Sequence, residues 1–144
     1  MKPKLLNSPR FISQRDHYSC GPVALMNLHK AQGLRVTLDD LPRYRRLLDC
    51  TQPRGTVRRA MNIALGRKGR KVPYTLFKEC LGAVVHTPPG KKRHGHYWLV
   101  YGKVVSNTGQ TRWAAVNLYA DETVSFLTWQ KMKSYLKHSY VWMF

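Results

Sequence analysis

The chain has 144 residues, 43% of them hydrophobic, which suits one folded domain and excludes wholesale disorder. Lys and Arg number 25 against 7 Asp and Glu, a net charge of +18; such a field attracts nucleic acid, acidic protein surfaces or anionic lipid and says nothing about fold. The basic start MKPKLLNSPRFIS holds one apolar pair, Leu5-Leu6, so it lacks the apolar core of a secretory signal, and no run approaches the roughly 18 apolar residues of a membrane span. The expectation is a cytoplasmic protein without membrane insertion, whose Cys20, Cys50 and Cys80 are free thiols.

Residues 1–13, with prolines at 3 and 9, read as an extended arm. CGPVALMNLHKAQ (20–32) reads as a helix. Pro22 falls in its first turn, where the missing N–H costs nothing. Val23, Leu25, Met26 and Leu28 make its apolar face, and Gly33 stops it. Thr37 is placed to cap a short turn carrying Asp39 and Asp40, and Pro42 opens a basic helix, PRYRRLLDC. Thr56 is the expected cap of VRRAMNIAL, with Val57, Met61 and Leu65 four apart and Gly66 as its stop. GRKGRK (66–71) reads as a flexible basic loop, and Thr75 as the cap of a short helix to Leu81. The character then changes. AVVHT (83–87), HYWLVYGKVV (96–105) and TRWAAVNLYA (111–120) are rich in β-branched and aromatic residues and read as strands. A turn falls at Asn107–Gly109, and a further strand at Thr123–Phe126. Thr128 caps a last helix, WQKMKSYLK, and SYVWMF closes as a strand. Helices first and strands after, with no long linker, make an α+β fold in one domain over 1–144.

Cys20 carries the first chemical signal. A helix N-terminus stabilises a thiolate through its unpaired N–H groups and dipole, so a nucleophilic Cys20 is expected to titrate well below about 8.5. The plainer reading is one more buried thiol. Cys50 and Cys80 fall near helix C-terminal ends, where the dipole has the wrong sign. A catalytic thiol needs a base, and His96 opens an apolar strand directly after Gly95. The base needs an orienting group, and Asn117 is a lone amide within WAAVNLYA that calls for a partner. Gln14, six residues before Cys20, has an amide able to donate to an oxyanion. Taken singly, each of these is an ordinary polar residue.

Together, Gln14, Cys20-Gly21-Pro22 at the head of an amphipathic helix, GHYWLVYG (95–102) and WAAVNLY (113–119) resemble the papain-like cysteine peptidases. Within them, the chain is most similar to the bacteriocin-leader-processing, double-glycine branch. FLTWQKMKSYLK also looks like that family's closing Ser/Thr-Trp helix. The resemblance implies a papain-like fold, with N-terminal helices, the central one starting at Cys20, packed on a C-terminal antiparallel sheet. It implies Cys20 as nucleophile, His96 as general base and acid, and Gln14 as oxyanion-hole donor, with no cofactor. Asn117 stands where the branch usually has Asp followed by Pro. Asn orients the imidazole elsewhere among papain-like enzymes, and Asp121 is the alternative. The implied substrate is a peptide or isopeptide bond. The loop 86–95 enters His96 directly and should line the cleft, with Gly21, His94, Gly95 and Tyr97 against the substrate. Its positive charge favours acidic residues near the scissile bond.

His94-Gly95-His96 lacks the Cys-x-x-Cys or His-x₃-His company of a metal site, so no metal is expected. The basic clusters Arg43–Arg46, Arg67–Lys71 and Lys91–Arg93 exceed what a solvated face needs and point to nucleic acid or an acidic partner. Small size and high charge fit a protein encoded by a phage or another mobile element, acting in a host cytoplasm or virion. A second reading keeps the fold without catalysis, as a basic structural or inhibitory protein.

Overall fold

The structure, a computed structural model, describes residues 10–89, 95–105 and 107–144. The helix expected at Cys20 is α1 (Cys20–Ala31), followed by a 3-10 turn (Leu38–Asp40), α2 (Leu41–Leu47), α3 (Arg58–Leu65) and α4 (Tyr74–Glu79). Then come β1 (Ala83–Thr87), β2 (His96–Val105), β3 (Thr111–Tyr119), β4 (Glu122–Leu127), α5 (Trp129–Leu136) and β5 (Tyr140–Met143). The strands form one antiparallel sheet in the order β4-β3-β2-β1-β5, so the last strand pairs with the first. The fold is α+β, as the sequence implies.

Strand side chains alternate between two faces, and each face buries a different cluster. Val84, Leu99, Val116 and Trp142 pack with Ala24, Leu25 and Leu28 of α1. Val85, Trp98, Ala115 and Val141 pack with Phe77 of α4 and Met132 and Leu136 of α5. α1 thus lies across one face with its first residue near the sheet's end, which is what sets Cys20 against β2.

Three local expectations change. Val57, not Thr56, is the N-cap of α3; Thr56 is buried instead. It packs so closely on Gly21 that a Cβ there would lie 2.7 Å from Thr56 Cβ. α4 starts before Thr75, because Pro73 enters it in an extended conformation and its carbonyl accepts from Phe77 N–H. The loop 66–71 is pinned: Gly69 N–H donates to Asn62 Oδ1 at 2.9 Å, and Arg70 exchanges both main-chain bonds with Val141. Among the described residues no helix is long and apolar enough to cross a membrane. Of the extended arm, residues 10–13 are described and hold no regular structure.

Candidate active site

Cys20 is the first residue of α1, with Ser19 as N-cap. The backbone N–H groups of Tyr97, Gly21 and Cys20 itself act on the sulfur and favour thiolate, but burial outweighs them. The residue is 8% exposed, and its pKa is raised above the ordinary 9.0, with the Cys50 thiol nearby adding to the rise. The low titration expected from helix position alone is therefore absent in the open cleft, because desolvating an anion costs more than these dipoles return. Cys50 is also raised by burial and donates to Tyr18 O at 3.1 Å, while burial pushes Cys80 up to about 11.

The turn before Cys20 is fixed by Asp16. Its Oδ1 accepts from Tyr18 N–H (3.0 Å) and Ser19 N–H (2.7 Å), and its Oδ2 from Ser19 Oγ (2.9 Å) and Arg45 Nη2 (2.7 Å). Arg45 Nε also donates to Ser19 Oγ. Burial opposes ionisation of Asp16, but the bonds from Ser19, Tyr18 and Arg45 together hold its pKa below the ordinary 3.8. Gln14 Nε2 donates to Asp16 O at 2.6 Å, which commits one of its two amide hydrogens.

His96 is the first residue of β2, and its Nε2 lies 2.5 Å from the Asn117 carbonyl oxygen on β3. A carbonyl only accepts, so Nε2 carries the hydrogen and Nδ1 holds the basic lone pair. Burial lowers the His96 pKa, partly offset by this carbonyl. The Asn117 amide points elsewhere: Nδ2 donates to Ile12 O (2.7 Å) and Oδ1 accepts from Gln14 N–H (3.3 Å). Asn117 therefore meets the imidazole through its main chain. It has φ 56° and sits where the β3–β4 register shifts between Val116 and Tyr119. Asn visits the left-handed region more readily than most residues. Asp121 is exposed on the cleft wall and makes no hydrogen bond or ion pair with His96.

Gln14, Cys20, His96 and Asn117 line one cleft of about 1370 Å³. Gly95 and Tyr97 also line it, as do His86 and Pro89 from the loop's start. Gly21 is not on the wall but lies against Thr56, which is. His94 and Lys91–Arg93 lie outside the described residues. The described wall carries both signs, Arg15 and Arg54 beside Asp121 and Glu122. Three polar groups of this wall are buried without a well-formed hydrogen bond: Thr56 Oγ1, His86 Nδ1 and the Tyr97 hydroxyl. His86 stacks on Tyr97 with centroids 4.3 Å apart. Burial, with Arg58 and His96 nearby, brings the His86 pKa down to about 4, so it is neutral at pH 7. The sequence reading missed Thr56 and the Asp16–Arg45 pair, and placed His86 on the wall only as the start of the loop 86–95. Only Asp16 had a local signal, an acid three residues before the helix cap.

Among solved structures, the chain is similar to the peptidase domain of Streptococcus ComA, a bifunctional ABC transporter involved in quorum sensing. The TM-score is 0.68 at 21% identity, over 92% of this chain and 95% of that one. This chain has a peptidase-domain fold. No protein-family model matches the sequence, and no curated protein does. The fold implied by the resemblance in sequence is thus the observed one, and at this identity the likeness speaks to fold alone.

Proposed function

We propose that the protein is a thiol hydrolase that cleaves a peptide or isopeptide bond, with Cys20 as nucleophile and His96 as base and acid. The observation that carries this reading is the His96 imidazole held at Nε2 by a main-chain carbonyl, in the cleft that Cys20 also lines. Burial raises Cys20 and lowers His96, so both are neutral in the free cleft. The thiol is then activated during attack, not beforehand. Sulfur bonds to the substrate carbonyl carbon as its proton passes to His96 Nδ1. The resulting oxyanion accepts from the Cys20 N–H and the second amide hydrogen of Gln14. Nδ1–H protonates the amine as the C–N bond breaks, leaving a thioester. Water attacks that thioester, giving its proton to Nδ1; the carboxylic acid departs and the thiol is restored. An amine in place of water gives acyl transfer by the same steps.

The activated ester p-nitrophenyl acetate tests this without a known substrate. Peptide mapping by mass spectrometry should find acetyl on Cys20, and the release of p-nitrophenolate should drop to the background level in Cys20→Ala and in His96→Ala. Equal release from wild type and Cys20→Ala overturns the reading.

A second reading rests on charge. Among the described residues three ion pairs form, Arg43–Asp40, Arg45–Asp16 and Arg54–Asp49, against a net charge of +18. Arg46, Arg67, Lys68, Arg70 and Lys71 are exposed. Binding to nucleic acid through these residues should weaken steeply with salt and survive Cys20→Ala. Charge reversal of Arg67, Lys68, Arg70 and Lys71 should abolish it. A place in a host cytoplasm or virion belongs to this charge-based reading, whereas an acidic peptide substrate belongs to the hydrolase reading, through the charge of the loop 86–95.

A further inference from the structure

We infer that Asn27, together with the Asn117 amide, is a positioning residue that sets Gln14 in the cleft. This rests on the reading of Gln14 as an oxyanion donor. Asn27 is 0% exposed, an amide inside the apolar face of α1. Its Oδ1 accepts from Ile12 N–H at 2.8 Å and its Nδ2 donates to Ile12 O at 3.0 Å. A buried amide closing a two-bond ring onto one residue's main chain reads that segment as a strand partner would. The Ile12 carbonyl is also taken by Asn117 Nδ2, and the Gln14 N–H by Asn117 Oδ1. Three main-chain groups over three residues are thus fixed by two side chains, one from the nucleophile's helix and one from the strand whose carbonyl holds His96.

The geometry explains why this point is clamped. Asn27 lies seven residues, about two turns, beyond Cys20, so the two share a face of α1. Gln14 lies two residues beyond Ile12, about 7 Å along an extended chain. Fixing Ile12 to α1 therefore fixes the start of Gln14 relative to the sulfur. Phe11 packs edge-on against Tyr101 with centroids 4.8 Å apart, and Ser13 Oγ meets Thr123 Oγ1 at 2.5 Å. Those contacts hold the arm to the sheet. Among the described residues, Asn27 is what ties it by hydrogen bonds to the helix that carries the nucleophile.

The test compares two reagents on the full chain. Acetylation of Cys20 by p-nitrophenyl acetate passes through an oxyanion; alkylation by iodoacetamide does not. Asn27→Ala should slow Cys20 acetylation by about tenfold or more, part of the 10²–10³ that an oxyanion donor contributes, while alkylation changes less than about twofold. In a Gln14→Ala background the same substitution should slow acetylation no further. If Asn27→Ala fails to fold, Ile12→Pro removes the clamped N–H from the arm side and should give the same pattern. Equal losses with both reagents, or an undiminished loss in the Gln14→Ala background, overturn the inference. Acetylation that persists in Cys20→Ala sinks instead the reading of Cys20 as nucleophile.

Discussion

The two halves of the cleft are held by different means. On the helix side, side chains do the holding: one carboxylate, Asp16, gathers two N–H groups, a hydroxyl and a guanidinium around the turn before Cys20. On the sheet side, His96 is held by a main-chain carbonyl at a register shift. A side-chain network can be dismantled by substitution. A carbonyl cannot be deleted, only moved, so His96 is the harder half to misalign.

The largest expected effect breaks that contrast at its centre. His96→Ala should slow Cys20 acetylation by about 10²–10⁴. Asn117→Gly keeps the carbonyl and accepts the positive φ, so iodoacetamide alkylation of Cys20 should stay within about twofold of wild type, while acetylation falls with the loosened arm. A loss in acetylation as deep as that of His96→Ala would mean the amide, not the carbonyl, orients His96. Next in size is the pH dependence. With Cys20 raised by burial, its alkylation in the free protein should still climb through pH 9, by roughly tenfold per unit below the midpoint. Cys80, pushed up to about 11, should trail it. A plateau already reached near pH 6 would indicate a preformed thiolate–imidazolium pair.

The smallest effect sharpens the helix side. Asp16→Asn should cost about 1–3 kcal/mol in urea unfolding, since partners of a charged hydrogen-bond hub are left poorly paired. The folded carboxyl is held below its ordinary 3.8. Its stabilisation is therefore complete above the unfolded value and is lost as pH falls through the lower folded one. Wild-type stability should drop below about pH 4 more steeply than that of Asp16→Asn; parallel curves would remove Asp16 from this role.

Elements with strong local pattern were legible. Pro22 and Gly33 bracket α1, Gly66 ends α3 with φ 68°, and Thr128 caps α5 by accepting from Lys131 N–H. The aromatic and β-branched runs became β1, β2 and β3. Pattern failed where long-range contact decides. Thr56 has a capping residue's chemistry but is consumed by Gly21, thirty-five positions earlier. The 66–71 loop has a flexible composition but is bonded to Val141. At the cleft, order along the chain suggested Gln14, Cys20, His96 and Asn117, yet which atom of Asn117 meets His96 depends on one backbone torsion that no composition encodes. Nor can helix position alone convey how deeply Cys20 is buried, and that depth sets the direction of its titration.

The strand order has a consequence in time. β5 pairs with β1, so the sheet that presents His96 closes only when residues 140–143 have been made. Cys20 leaves the ribosome 76 positions before His96, roughly 4–15 s at 5–20 residues per second. Throughout that interval the cysteine helix lacks His96, and for some seconds longer it has no finished sheet to lie on. On the proposed mechanism, the pairing of Cys20 with His96 is complete only with the last strand.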